Sequence, residues 1–189
     1  MIAYVFWHRA REGVAPEQYE MACGHFHHSL AQHAPGGFVG SVCLRAEHLP
    51  WLGSGGSGYE DWYLLEDFGA LGTLNEAAVA RGHLAPHDAA ARQMGEGTAS
   101  IYQLVDGLPR LETTTHAIWI TPRPGKSKVL FEDLLVDGIE PGSGTLWRRQ
   151  LALGPAPELC LLASVVPEGV GTTRIPAGWS AEAFWRTVL

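Results

Sequence analysis

The sequence predicts an α+β protein made of two ferredoxin-like β-α-β-β-α-(β) repeats, the second of them truncated. Three observations carry this. Apolar, β-branched and aromatic runs recur at strand length. An apolar stripe of helical period lies between the first two runs. The pattern then restarts after residue 114, with matching residues at a fixed offset.

Residues 2–9 are apolar on both alternating faces, as in a strand buried on both sides. Pro16 sits where helices start, and Glu17 and Glu20 suit the positive end of the helix dipole. The helix is expected to end near His33, before Pro35-Gly36-Gly37. Tyr19, Cys23, Phe26 and Leu30 fall on one face of it. Residues 38–47 read as a second strand, and a Gly-Ser loop at 53–58 leads to a third at 59–66. Helices follow at 68–80 and 86–94, then a strand at 98–105 closed by Asp106-Gly107. This is the split β-α-β order of a ferredoxin-like unit.

The first repeat is assigned to residues 1–107, which carry the candidate pocket, a linker to 108–114, and the second repeat to 115–189. Trp7, Arg11, Gly13, Tyr19 and Glu20 have counterparts 112 positions on, at Trp119, Arg123, Gly125, Phe131 and Glu132. Pro35-Gly36 matches Pro141-Gly142 at an offset of 106, so the second repeat lacks six residues of its first helix. Residues 145–153 and 158–166 read as its middle strands. Ser180 is placed as the cap of a terminal helix over 180–188, leaving the second repeat without its last strand.

Composition narrows the function classes. Of 189 residues, 46% are hydrophobic and 17% charged, enough for a large core and against disorder. The formal charge of −7, with no basic stripe, argues against a nucleic-acid partner. No apolar run is long enough for a bilayer, and the N-terminus lacks signal-peptide features, so a cytoplasmic protein without membrane contact is expected. Cys23, Cys43 and Cys160 are far apart in sequence and form no CxxC pair; they read as packed, reduced thiols.

The stretch from Phe26-His27-His28 through His33-Ala34-Pro35 to Phe38 resembles the end of the first helix in EthD-like proteins of the dimeric α/β-barrel superfamily. Residues 62–71, from Trp62-Tyr63 to Phe68 and Leu71, resemble their third strand running into the second helix. The resemblance covers most of residues 1–106 and extends faintly over 116–189. It implies that the two repeats form an intrachain dimeric α/β-barrel, as a monomer or within a homodimer. It also implies a small-molecule binder or cofactor-independent enzyme, performing proton transfer or monooxygenation on an aromatic or polyketide-like substrate. Members also include haem proteins and proteins without known activity, so fold alone fixes little.

His33, near the end of the first helix, is singled out as the catalytic acid/base; the alternative is a residue that merely answers the helix dipole. Phe26, His27, Trp62 and Tyr63 are the candidate substrate contacts. Trp62 and Tyr63 are neighbours on a strand and therefore face opposite ways. His25 and His28 share a helix face, and His83 and His87 are four apart around Pro86, but no Cys or carboxylate completes a ligand set in sequence. No metal is therefore assigned, and no cofactor. Haem is the alternative, with His8, His27 or His33 as axial ligand; an assembly protein without catalysis is the third reading. The Gly-Ser loop lacks the Lys-Ser/Thr of a phosphate loop, and no G-x-S-x-G elbow is present.

Overall fold

A computed structural model of the chain describes residues 1–53, 56–80, 82–121, 144–164 and 180–189. The chain divides into two compact units. The first comprises residues 1–103 with 150–156 and 187–189, the second 104–149 with 157–186. In chain order the first unit contains β1 (Ile2–Ala10), α1 (Pro16–Gln32), β2 (Phe38–Ala46), β3 (Gly58–Leu65), α2 (Phe68–Ala78), α3 (Leu84–Gln93) and most of β4 (Met94–Asp106). Its sheet is antiparallel in the order β4-β1-β3-β2. The second contains β5 (His116–Thr121), β6 (Gly144–Ala152), β7 (Leu159–Ala163) and β8 (Ser180–Val188), in the antiparallel order β8-β5-β7-β6. Among the described residues, no helix is long and apolar enough to cross a membrane.

The helix α1 forms where its sequence signals place it. Pro16 opens it, Glu17 lies in the first turn, and His33 ends it by donating its backbone N–H to the Ser29 carbonyl. The stripe Tyr19, Cys23, Phe26 and Leu30 is buried, joined by Ala22 and His27. Phe26 and Leu30 pack with Ile2, Tyr63, Leu65, Leu74 and Ile101. Asp67 caps α2, its carboxylate accepting the Ala70 N–H at 2.9 Å.

The α1–β2 turn depends on Gly37, whose φ of +76° lies in the left-handed region. A Cβ there would sit 2.5 Å from the Ala70 Cβ at the start of α2. Gly37→Ala should therefore lose about 1–2 kcal/mol to backbone strain and about 1–3 kcal/mol more to overpacking. A lowered urea midpoint checks this; an unchanged midpoint would show that the turn has room to relax.

Three sequence expectations are corrected. Residues 180–188 form a strand, not a capped helix, so the second unit does possess its fourth strand. Ser and Ala favour a helix weakly, but β5 offers the segment a ladder: Phe184 pairs with Ala117 and Trp185 with His116. The burial follows strand alternation, with Phe184 and Arg186 buried and Trp185 half exposed between them. The Arg186 guanidinium donates to both the carbonyl and the hydroxyl of Thr114, at 3.0 and 2.8 Å. Second, α3 begins at Leu84 rather than at Pro86. Third, β4 begins at Met94, directly where α3 stops, rather than at Thr98.

Trp119 lies on β5 between β7 and β8, and Trp7 on β1 between β3 and β4; both are buried. The other repeat positions, Arg123, Gly125, Phe131, Glu132, Pro141 and Gly142, lie outside the described residues.

Candidate functional site

Strand β3 is buried along its whole length, and two adjacent acidic residues lie in it. Glu60 and Asp61 point to opposite faces of the sheet. On one face, Glu60 accepts from the indole N–H of Trp7 at 3.3 Å and of Trp62 at 3.1 Å. On the face covered by α1, Asp61 meets two imidazoles and a phenol. His8 Nε2 and His27 Nε2 each approach its Oδ1 to 3.2 Å, and Tyr63 donates its hydroxyl to Oδ2 at 2.9 Å.

Strand register explains the convergence. His8 pairs with Tyr59 across β1–β3, which places it diagonally opposite Asp61 on the same face. His27 reaches down from α1. With Nε2 of each imidazole directed at Asp61, Nδ1 is left to accept: His8 from Tyr19 Oη at 2.6 Å, His27 from Ser41 Oγ at 2.7 Å. Each imidazole thus faces the carboxylate with one nitrogen and a hydroxyl with the other.

Burial alone pushes the Asp61 carboxyl up, but the two imidazoles beside it outweigh that and hold it well below the usual carboxylate range. Burial, then the Asp61 charge, pushes the Tyr63 phenol well above its ordinary value. Tyr19 is likewise raised, first by burial and then by neighbouring Cys23 and Asp61, so it stays a neutral donor to His8.

A cavity of about 260 Å³ opens onto this network between the sheet and the helices of the first unit. Tyr4, Phe6 and His8 of β1 and Asp61 and Tyr63 of β3 form its floor. Tyr19, Cys23 and Phe26 of α1 form one wall, and Leu74, Asn75 and Ala78 of α2 with His87, Ala90 and Ala91 of α3 complete it. Phe6 stacks on His8 with centroids 5.0 Å apart, and Phe26 meets His87 edge-on at 5.4 Å. The site is thus a small aromatic chamber with an ionised carboxylate and an imidazole at its base.

The sequence candidates fall in different places. Phe26 and Tyr63 line the cavity. His27 lies behind its wall, bonded to Asp61 and Ser41 and stacked on Tyr63 at 5.0 Å. Trp62 lies on the opposite face of the sheet with Glu60. His33 is exposed at the end of α1, outside the cavity, its ring 6.3 Å from that of His83. His25 and His28 are exposed, while His83 is buried against Ser29 Oγ at 3.1 Å. Tyr19 and Asp61 were not singled out as site residues by sequence, and His8 was named only as one of three haem-ligand candidates. The usable signal was an acidic pair inside an aromatic strand, Tyr59-Glu60-Asp61-Trp62-Tyr63, where neither carboxylate has a solvated face.

Metal donors converge as well. Ligand atoms of His8, Cys23 and Cys43 lie within 4.8 Å of one another, as do those of His27, Cys43 and Asp61. No sequence spacing announces this, because the donors come from α1 and three different strands. The cavity's volume lies just below the range that encloses drug-sized ligands.

No family model matches the sequence, and no curated protein matches it. Solved structures do match over its whole length. A candidate monooxygenase from Fusobacterium nucleatum superposes with a TM-score of 0.58 at 10% identity, covering 100% of this chain and 92% of its own. An anthrone oxidase-like protein gives 0.55 at 7% identity, covering 100% and 91%. A candidate chlorite dismutase gives 0.59 at 12% identity, covering 100% and 94%. At such identities the likeness speaks for the fold alone, and that fold is the one found throughout the dimeric α/β-barrel superfamily.

Proposed function

We propose that the first unit is a cofactor-independent catalytic module that removes a proton from a small aromatic or polyketide-like substrate, preparing it for reaction with O2. The observation that carries this is the Tyr19–His8–Asp61 chain at the base of an otherwise apolar cavity. Tyr19 donates to His8 Nδ1, so its oxygen can accept a proton from a phenolic, enolic or activated C–H group above it. The proton relays through Tyr19 to His8, and the Asp61 carboxylate stabilises the positive charge that develops there. His27 and Tyr63 act on Asp61, fixing its orientation as positioning residues. Phe6, Phe26 and Tyr63 supply flat apolar surface for an aromatic ring.

The electron-rich anion left behind transfers electrons to O2 without a cofactor. For an activated CH2 group, one oxygen atom becomes the new carbonyl, the other leaves as water, and two hydrogens are lost from carbon. The oxidase and monooxygenase names among the structural relatives support this class of chemistry. The same strand order in both units supports a tandem duplication, with the catalytic groups kept in the first copy. His33 in this reading is a helix-end residue rather than the base.

The test separates the two steps. Under nitrogen, a panel of anthrones and hydroxyaryl ketones is incubated with protein in D2O, and deuterium incorporation is followed by NMR. In air, dissolved O2 and quinone absorbance are followed. Exchange under nitrogen and O2 uptake in air, both abolished by His8→Gln and retained by His33→Gln, are expected. Absence of exchange across the panel, or its loss in His33→Gln alone, would overturn the assignment.

A further inference from the structure

We propose that His8, Cys23 and Cys43 form a binding site for a thiophilic divalent ion such as Zn2+, with a fourth coordination position open to the cavity. The three side chains are all buried, and their donor atoms lie within 4.8 Å of one another. They come from β1, α1 and β2, three elements fixed by sheet pairing and by the packed face of α1. Two thiols and an imidazole are a borderline-soft set that suits zinc, and three protein ligands with one open position is the pattern of a reactive rather than a structural site.

The surroundings favour this set over the alternative one. In the His27–Cys43–Asp61 group, the carboxylate is already committed to two imidazoles and a phenol. In the His8 group, Asp61 instead takes the outer position: it lies 3.2 Å from His8 Nε2, so Nδ1 is the nitrogen assigned to the ion. Binding exchanges the Tyr19 hydrogen bond to Nδ1 for a metal–nitrogen bond. Tyr19 packs beside Cys23 and Cys43. His8 and Cys23 line the cavity, so the fourth ligand, a water or a donor atom of a small molecule, enters from there.

The step balances simply. The ion displaces one proton from each thiol, forms two metal–thiolate bonds and one bond to neutral imidazole, and leaves the inner sphere without net charge. No oxidant or reductant is needed. A carboxylate held at the far side of the imidazole raises the ligand's basicity and fixes its tautomer.

The ion would occupy the His8 nitrogen that the proton relay uses, so the loaded and the relay-competent forms exclude one another; the test therefore uses neither substrate nor O2. Purified full-length protein, reduced and metal-free, is titrated with Co2+. Tetrahedral coordination by thiolate gives intense d–d bands in the visible and a sulfur-to-cobalt charge-transfer band in the near ultraviolet; Zn2+ should abolish both. The expected pattern is a spectrum retained in Cys160→Ser, lost in Cys43→Ser, and retained in Asp61→Asn with affinity reduced by about 10–100-fold. If Cys43→Ser does not fold by circular dichroism, Cys23→Ala reads the same ligand set. A weak octahedral spectrum in the folded wild type, or a thiolate band that survives loss of Cys43 or Cys23, would overturn the site.

Discussion

Asp61→Asn is expected to cost about 3–5 kcal/mol of stability, the range for breaking a buried charge network by removing one partner. Asp61 is nearly inaccessible and receives His8, His27 and Tyr63 on its two oxygens. An amide in its place presents one acceptor and one NH2. If the oxygen faces the imidazoles, the NH2 meets the Tyr63 hydroxyl donor; if the group flips, it meets two imidazole N–H groups. The flipped arrangement sets donor against donor, and the other forces the Tyr63 hydroxyl to turn from donor to acceptor; both lose the carboxylate's charge. Urea unfolding at neutral pH measures the loss.

The pH dependence follows from the direction of the carboxyl shift. The folded value lies well below the ordinary 3.8. The stabilisation is therefore complete above the unfolded value and is lost as pH falls through the lower, folded one. Wild type should lose its advantage over Asp61→Asn only in that acid window. An advantage that is constant with pH would show that the carboxylate charge contributes nothing.

His8→Gln should lower turnover by about 10²–10⁴-fold, the usual contribution of a positioned acid/base group. Glutamine keeps a donor for Asp61 and an acceptor for Tyr19, so the fold and the cavity should survive. What it lacks is the capacity to take up a proton. The expected signature is a loss in kcat with KM nearly unchanged, since the apolar walls that bind the ring are untouched. A variant with unchanged kcat would remove His8 from the chemistry. A rise in KM alone would make it a binding group.

The frame of the first unit was legible because its signals are local. The apolar run of β1, Pro16 at the start of α1, and the stripe from Tyr19 to Leu30 each follow from a few neighbouring residues. The terminal segment was misread for the same reason. Ser180 and its alanines carry a helix signal, while the β5 ladder that overrides it is about sixty residues away in sequence. The site was legible only in part. The histidine-rich end of α1 drew notice to His33, but helical angle alone could not distinguish His27, which is buried, from His33, which is not. Asp61 and Glu60 were passed over because charge usually marks an exposed strand face. Their burial rests on indoles, imidazoles and phenols supplied by other elements, and that is information the register holds and the linear sequence does not.

The same acidic pair also bears on how β3 finds its place. A strand buried on both faces has no hydrophobic alternation to distinguish one alignment from the next, so apolar burial tolerates a slip by one residue. Here a slip would be ruinous. It would turn Asp61 toward the indoles of the opposite face and Glu60 toward the imidazoles, putting a long carboxylate where a short one fits and a short one where a long one fits. Tyr63, whose hydroxyl answers Asp61 from two residues along the same strand, would leave the chamber with it. The two carboxylates thus work as a two-sided key: each fits the donors of one face only, and both must fit at once for the strand to seat.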